Sequence, residues 1–144
     1  MAKRIPYEMR DFSYLEKIAD NDFSKFIRLR DSDEDGYCRC ITCGEVFHWK
    51  QITNGHWQKR DKKPTRYNEE NCHAQCVKCN SYRSGEDSLH GDKIQEIYGG
   101  DIKNELRKKG NGFSFLTKTE IIVIIYHYRL LWNKMAKSKP DTGV

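Results

Sequence analysis

Two C-x2-C pairs, Cys40-Ile41-Thr42-Cys43 and Cys76-Val77-Lys78-Cys79, constrain this chain more than any other feature. A two-residue spacer lets both thiolates of a pair face one ion, and zinc prefers four ligands in a tetrahedron. Two pairs set 32 residues apart therefore complete an all-thiolate shell with no open position. The expected site is structural. Binding free energy at such a site becomes folding free energy, on the order of ten kcal/mol in small zinc modules. A chain that is only 37% apolar and 33% charged has a thin core and benefits from that staple. A thioredoxin-like redox pair would need one C-x2-C within a βαβ pattern, which is absent. Cys38 does not stand at knuckle spacing from Cys43, and Cys72 reads as a small packing residue.

At 144 residues the chain holds one ordinary domain with room for a helical appendage. Its net charge of +5 supports an anionic partner only weakly, so the placement of charge matters more than the sum. Nothing reads as a signal peptide: Lys3 and Arg4 lead into mixed residues. The longest apolar run, Ile121 to Tyr126, is far below the roughly 20 residues that span a bilayer. The expectation is a cytoplasmic protein, where thiols stay reduced and six cysteines point to metal and not to disulfides.

The pattern divides into an N-terminal arm (1–21), a zinc-bound core with a leading helix (22–90), a C-terminal helical region (91–137) and a flexible tail (138–144). Phe23, Phe26 and Ile27 lie at helical spacing, so a short helix is predicted from Asp22 to near Asp31. The acidic run 31–36 lacks the ligand register of a calcium loop and reads as a solvated turn. Helices are predicted over 91–98 and 101–109, separated by Gly99-Gly100, and a last one begins at Thr117-Lys118-Thr119-Glu120, a capping-box pattern. That helix is apolar on more than one face, which suggests a homodimer contact.

Between the knuckles, 49–52 and 55–58 read as the strands of a hairpin, and about 74–83 as a helix, giving a ββα unit pinned by zinc. Hydrolysing a phosphodiester requires a base for water, a cation at the leaving oxygen and fixed geometry between them. Histidine suits the base near neutral pH, given an acceptor that fixes its tautomer. Magnesium or manganese takes oxygen donors, which the Asn80 carboxamide offers beside Cys79. His56, Asn71 and Asn80 are thus a chemically coherent trio, with His73 a further candidate ligand. Lys59, Arg60, Lys62, Lys63 and Arg66, with Lys78 and Arg83 nearby, form a basic cluster suited to phosphates. Trp57 reads as hairpin core.

The order His, Asn, C-x2-C-Asn resembles the HNH, or ββα-metal, nucleases. Residues 23–85 more closely resemble the phage NinG/Rap recombination endonuclease family. The resembling stretches are Phe26 to Asp31, Cys40 to Gly44, Gly55-His56, Thr65 to Asn71, His73 to Asn80 and Ser84-Gly85. The resemblance implies cleavage of branched DNA such as Holliday junctions and D-loops. It implies His56 as general base, Asn71 as the residue that orients it, and Asn80 as ligand of a catalytic divalent metal. One departure stands out: many HNH nucleases carry Asp directly before the base histidine, where this chain has Gly55.

The expected fold is therefore α+β, a zinc-bound ββα core flanked by helices, and the expected activity is metal-dependent DNA cleavage. Two rivals remain: a non-catalytic zinc module that binds nucleic acid during recombination, and an adaptor built on the last helix.

Overall fold

The computed structural model describes residues 3–82 and 86–141. Its first long element, α1 (Phe12–Arg30), is started by Asp11, whose carboxylate accepts the Tyr14 N–H at 2.9 Å. It buries Leu15, Ala19, Phe23, Phe26, Ile27 and Leu29 along one stripe. The helix thus begins ten residues before the predicted start, and residues 12–21 of the expected 1–21 arm are helix. The stripe was hidden because Asp22 sits in it. That carboxylate is 2% exposed and is satisfied from α5, by Arg129 at 2.8 Å and the Trp132 indole N–H at 2.7 Å.

The last helix, α5 (Lys118–Lys137), starts as its capping box requires: Thr117 Oγ1 accepts the Glu120 N–H at 3.1 Å. α1 and α5 run side by side in the same direction, Leu15 against Ile121 and Ile125, Phe23 against Tyr128, and Leu29 near Trp132 and Met135. Val123, Tyr126 and Leu130 stay exposed on α5. No helix among the described residues is long and apolar enough to cross a membrane.

Two small antiparallel sheets pack on this helix pair. In the first, β1 (Tyr37–Arg39) pairs with β2 (Val46–His48), and Cys40 and Cys43 occupy the turn between them. In the second, β3 (Thr53–His56) pairs with β4 (Cys72–Gln75) in the register Thr53↔Gln75 to His56↔Cys72. The predicted hairpin of 49–52 with 55–58 is therefore corrected. Residues 49–52 form a turn, and the partner of β3 lies beyond the long loop 57–71. The predicted 74–83 helix resolves into the end of β4 and α2 (Val77–Tyr82). The order β3, β4, α2 is a strand, strand, helix unit.

Helices α3 (Ser88–Tyr98) and α4 (Ile102–Gly110) close the far side, where Ile94, Ile102 and Leu106 bury Trp57. Trp57 is core, as its sequence position suggested. The approach is close: a Cβ on Gly91 would come within 2.8 Å of the indole nitrogen.

Candidate functional site

Cys40 directly follows β1 and Cys76 directly follows β4, and the Ile41 N–H to Ala74 carbonyl bond, 2.9 Å, ties the two strand ends together. The result is a cluster of Cys40, Cys43, Cys76 and Cys79 whose sulfurs lie within 4.8 Å of one another. Cys43 Sγ and Cys76 Sγ are 3.9 Å apart. Four sulfurs at zinc-bonding distance form a tetrahedron with edges of about 3.8 Å, so the donor set fits zinc in both chemistry and size.

Backbone N–H groups supplement the thiolates, with Cys43 and Cys76 N–H donating to Cys40 Sγ at 3.5 and 3.3 Å. Burial pushes the Cys40 thiol up, but the N–H groups of Cys43, Cys76 and Thr42 prevail and bring it down to about 7. The remaining two cysteines stay outside. Cys38 donates to the Arg28 carbonyl and burial pushes its thiol up to about 12, while Cys72 is fully buried among Phe23, Phe26 and Tyr128.

At the other end of the hairpin, His56 closes β3. Its Nε2 lies 2.8 Å from the Arg66 carbonyl, so Nε2–H donates and Nδ1 is left as the acceptor. Burial lowers its pKa below 6.5, opposed by the Arg66 carbonyl, so the ring is neutral at pH 7. Asn71 does not touch this ring. It is fully buried and fastens the loop: Oδ1 accepts the Gln58 N–H at 2.7 Å, and Nδ2 donates to the Gln58 and Thr65 carbonyls at 3.0 and 3.1 Å. The same loop carries the Arg66 carbonyl that meets His56, so the link between Asn71 and His56 runs through the backbone.

The third member of the expected trio lies apart. Asn80 is exposed on α2 and donates to Thr53 Oγ1 at 3.1 Å. Thr53 and His56 are separated by about 10 Å of strand and face opposite sides of it. The structure therefore places Asn71 in the loop behind His56, without contact to its ring, and leaves Asn80 at the opposite end of β3.

Gly55 has a physical reason. A Cβ there would lie 2.2 Å from Gln75 Oε1 and 2.8 Å from Gln75 Cβ, so the space an aspartate would need is filled by Gln75. Asn80 Nδ2 meets the Thr53 hydroxyl, which itself donates to the Gln75 carbonyl. The cysteine cluster is the one group of three or more potential His, Cys, Asp or Glu ligands among the described residues.

His73 is corrected as a candidate ligand. Its Nδ1 is 3.1 Å from His90 Nε2 and its Nε2 is 3.0 Å from the Tyr98 hydroxyl, so both nitrogens are committed inside the fold. Burial lowers both histidines to about 3. Sequence reasoning gave His90 and Tyr98 no part in this network, because partners 17 and 25 residues away leave no local signal.

The basic cluster divides. Arg66 is corrected from phosphate contact to clamp: its Nε donates to Asp20 Oδ1 at 2.9 Å, Glu16 lies beside it, and only 11% of the side chain is exposed. Lys62 donates to Gln58 and Asn111, and Lys63 pairs with Glu16 at 2.9 Å. Lys59 and Lys78 are exposed, and 62% of the Arg60 side chain is exposed, 3.9 Å from Asp20. Arg83 and the Ser84-Gly85 pair lie outside the described residues, as do 142–144 of the tail.

Fold and cysteine cluster together define an α+β protein whose strand, strand, helix unit is closed by a four-sulfur, zinc-suited centre. A family model described as Bacteriophage Lambda NinG protein matches residues 3–138, and the chain belongs to that family. It is 40% identical over 74 residues to Protein ninG of Escherichia phage lambda, which covers 51% of this chain and 34% of that protein. Protein ninG of Salmonella phage P22 is 39% identical over 74 residues, with the same shares covered. The matched stretch thus spans about a third of the length of these curated relatives. No solved structure matches the chain.

Proposed function

We propose that the chain is a metal-dependent DNA endonuclease acting on branched recombination intermediates such as Holliday junctions and D-loops. The observation that carries this reading is the state of His56: neutral, fixed in one tautomer by the Arg66 carbonyl, with Nδ1 left to take a proton from water. Exposed Lys59 and Arg60 on the adjoining loop support phosphate contact, which would be salt-sensitive and largely independent of sequence.

A magnesium or manganese ion would be held by the Asn80 and Thr53 oxygens, with water and phosphate completing its shell. When bound it would stabilise charge on the leaving oxygen. What this chain's own residues do is hold and move a proton at His56 Nδ1 and grip the strand. Symmetric cutting of a four-way junction would need two such sites, and exposed Val123 and Leu130 are the apolar surface through which two chains would pair, a point read by sedimentation.

A second reading, a zinc-stabilised nucleic-acid-binding recombination accessory, is favoured by the separation of Asn80 from His56 and by the lack of a carboxylate beside Gly55. The His56→Ala variant discriminates. On linear, single-stranded and four-way-junction DNA with magnesium or manganese, a nuclease loses cleavage while keeping binding. An intact chain that cuts none of these substrates is the accessory protein instead.

A further inference from the structure

Across the exposed ridge of α1 from the loop that Glu16 and Asp20 hold, the N-terminal segment, α1 and α5 enclose a groove of about 620 Å³. Its walls carry three arginines, Arg4, Arg10 and Arg129, and three tyrosines, Tyr7, Tyr14 and Tyr126, with no carboxylate among the lining residues. Two of the rings are open to solvent, Tyr126 at 57% and Tyr14 at 40%. Tyr7 and Tyr126 lie 5.8 Å apart, tilted by 43°, and the Arg10 guanidinium covers Tyr14 at 4.4 Å.

Arg129 forms the floor. It is held by Asp22 and donates to the Tyr7 hydroxyl at 2.8 Å, which fixes that ring. Arg10 differs: its Nε is shielded from solvent and has no hydrogen-bond partner among the described residues. A shielded donor without an acceptor is costly, and an incoming anion would satisfy it.

We infer that this groove holds a single DNA strand, with Tyr126 and Tyr14 stacking on unpaired bases and Arg4 and Arg10 meeting the backbone phosphates. The inference rests on the reading of the chain as a DNA-acting protein and adds a second contact surface, separate from His56 and the 57–66 loop. Aromatic faces set among arginines are the recognition chemistry of unpaired strands, because each base presents a π-face once it leaves the helix. Within a duplex those faces are already stacked, and phosphate contacts alone would leave the rings unused. An acidic peptide would likewise satisfy the guanidiniums but not the tyrosines. Branched intermediates expose unpaired bases near their junctions, so one chain would hold the backbone at the loop and the open strand at the groove.

The test uses the full chain and an oligothymidylate carrying 5-iododeoxyuridine. Irradiation and peptide mapping are expected to find the adduct on Tyr14 or Tyr126; adducts confined to 57–66 overturn the inference. In fluorescence anisotropy, Tyr126→Ala should weaken single-strand binding about tenfold, the scale of losing one stacked base, and Arg4→Ala should lower both the affinity and its salt dependence, as loss of a phosphate contact does. Unchanged affinity in variants that melt like the parent overturns it too. Cleavage is scored separately. A parent chain that never cuts a junction refutes the nuclease reading and leaves the crosslink map standing, whereas cutting without groove adducts refutes the groove alone.

Discussion

From a fully buried carboxamide Asn71 makes three hydrogen bonds to the backbone of the loop that precedes it. Asn71→Ala takes the partner from the Gln58 N–H and the Gln58 carbonyl, while the Thr65 carbonyl keeps the Asn68 N–H, so it should cost about 2–3 kcal/mol in a denaturant titration. It should also lower any cleavage, by loosening the Arg66 carbonyl that holds His56. The His56 pKa lies below 6.5 because burial disfavours the cation. Cleavage should therefore be flat through pH 7 and decline only as pH falls below that value, as Nδ1 takes up a proton. A pH–rate profile still climbing between pH 7 and 8 would contradict His56 as the base. Gly55→Ala forces a Cβ into Gln75 and should destabilise by about 1–3 kcal/mol, the usual range for overpacking. Thermal melts of the pair Gly55→Ala and Gln75→Ala, singly and together, should show the double variant recovering part of that loss.

Among elements, the α1–α5 pair holds the hairpin from below, and its weakest-looking position in sequence is one of its strongest in space. Asp22 interrupts the apolar stripe of α1, yet Arg129 and Trp132 satisfy it from α5. Asp22→Ala leaves the Arg129 guanidinium, 34% exposed, without its carboxylate and should cost on the order of 3 kcal/mol, seen as a lower denaturation midpoint. The N-terminal boundary of α1 was illegible because the charge in the stripe makes sense only beside a partner 107 residues away. By contrast the start of α5 was legible. Its N-cap is a local device, made within the four residues Thr117 to Glu120 by the Thr117 hydroxyl accepting the Glu120 N–H.

For the molecule as a whole, the cysteine cluster joins the first sheet to the second, so chelating zinc should loosen both. Loss of β signal in circular dichroism, recovered on adding zinc back with release of protons, is the expected result. Acid acts on a different part. His73 and His90 have folded pKa values lowered from 6.5 to about 3, so between those values the unfolded chain binds more protons. Their contribution is complete above pH 6.5 and is lost as pH falls toward 3, a drop on the order of 3 kcal/mol by pH 5. Denaturant midpoints at pH 7 and pH 5, with zinc content assayed at each, check this. A midpoint that stays constant while zinc remains bound would show that the buried pair does not couple to stability.

Sequence alone determined the grouping of Cys40, Cys43, Cys76 and Cys79, the packing role of Cys72, the buried Trp57 and the α5 cap. Each depends on spacing or on a residue's own chemistry, which local order preserves. Tertiary structure decided which strand pairs with β3, that Asn71 fastens the loop backbone, that Arg66 and His73 face inward, and that Asn80 stands at the far end from His56. Those outcomes depend on where the chain returns after the long loop and on carboxylates of α1 some 46 residues from Arg66. Closing such contacts is a property of the packed whole, and no window of sequence contains both partners.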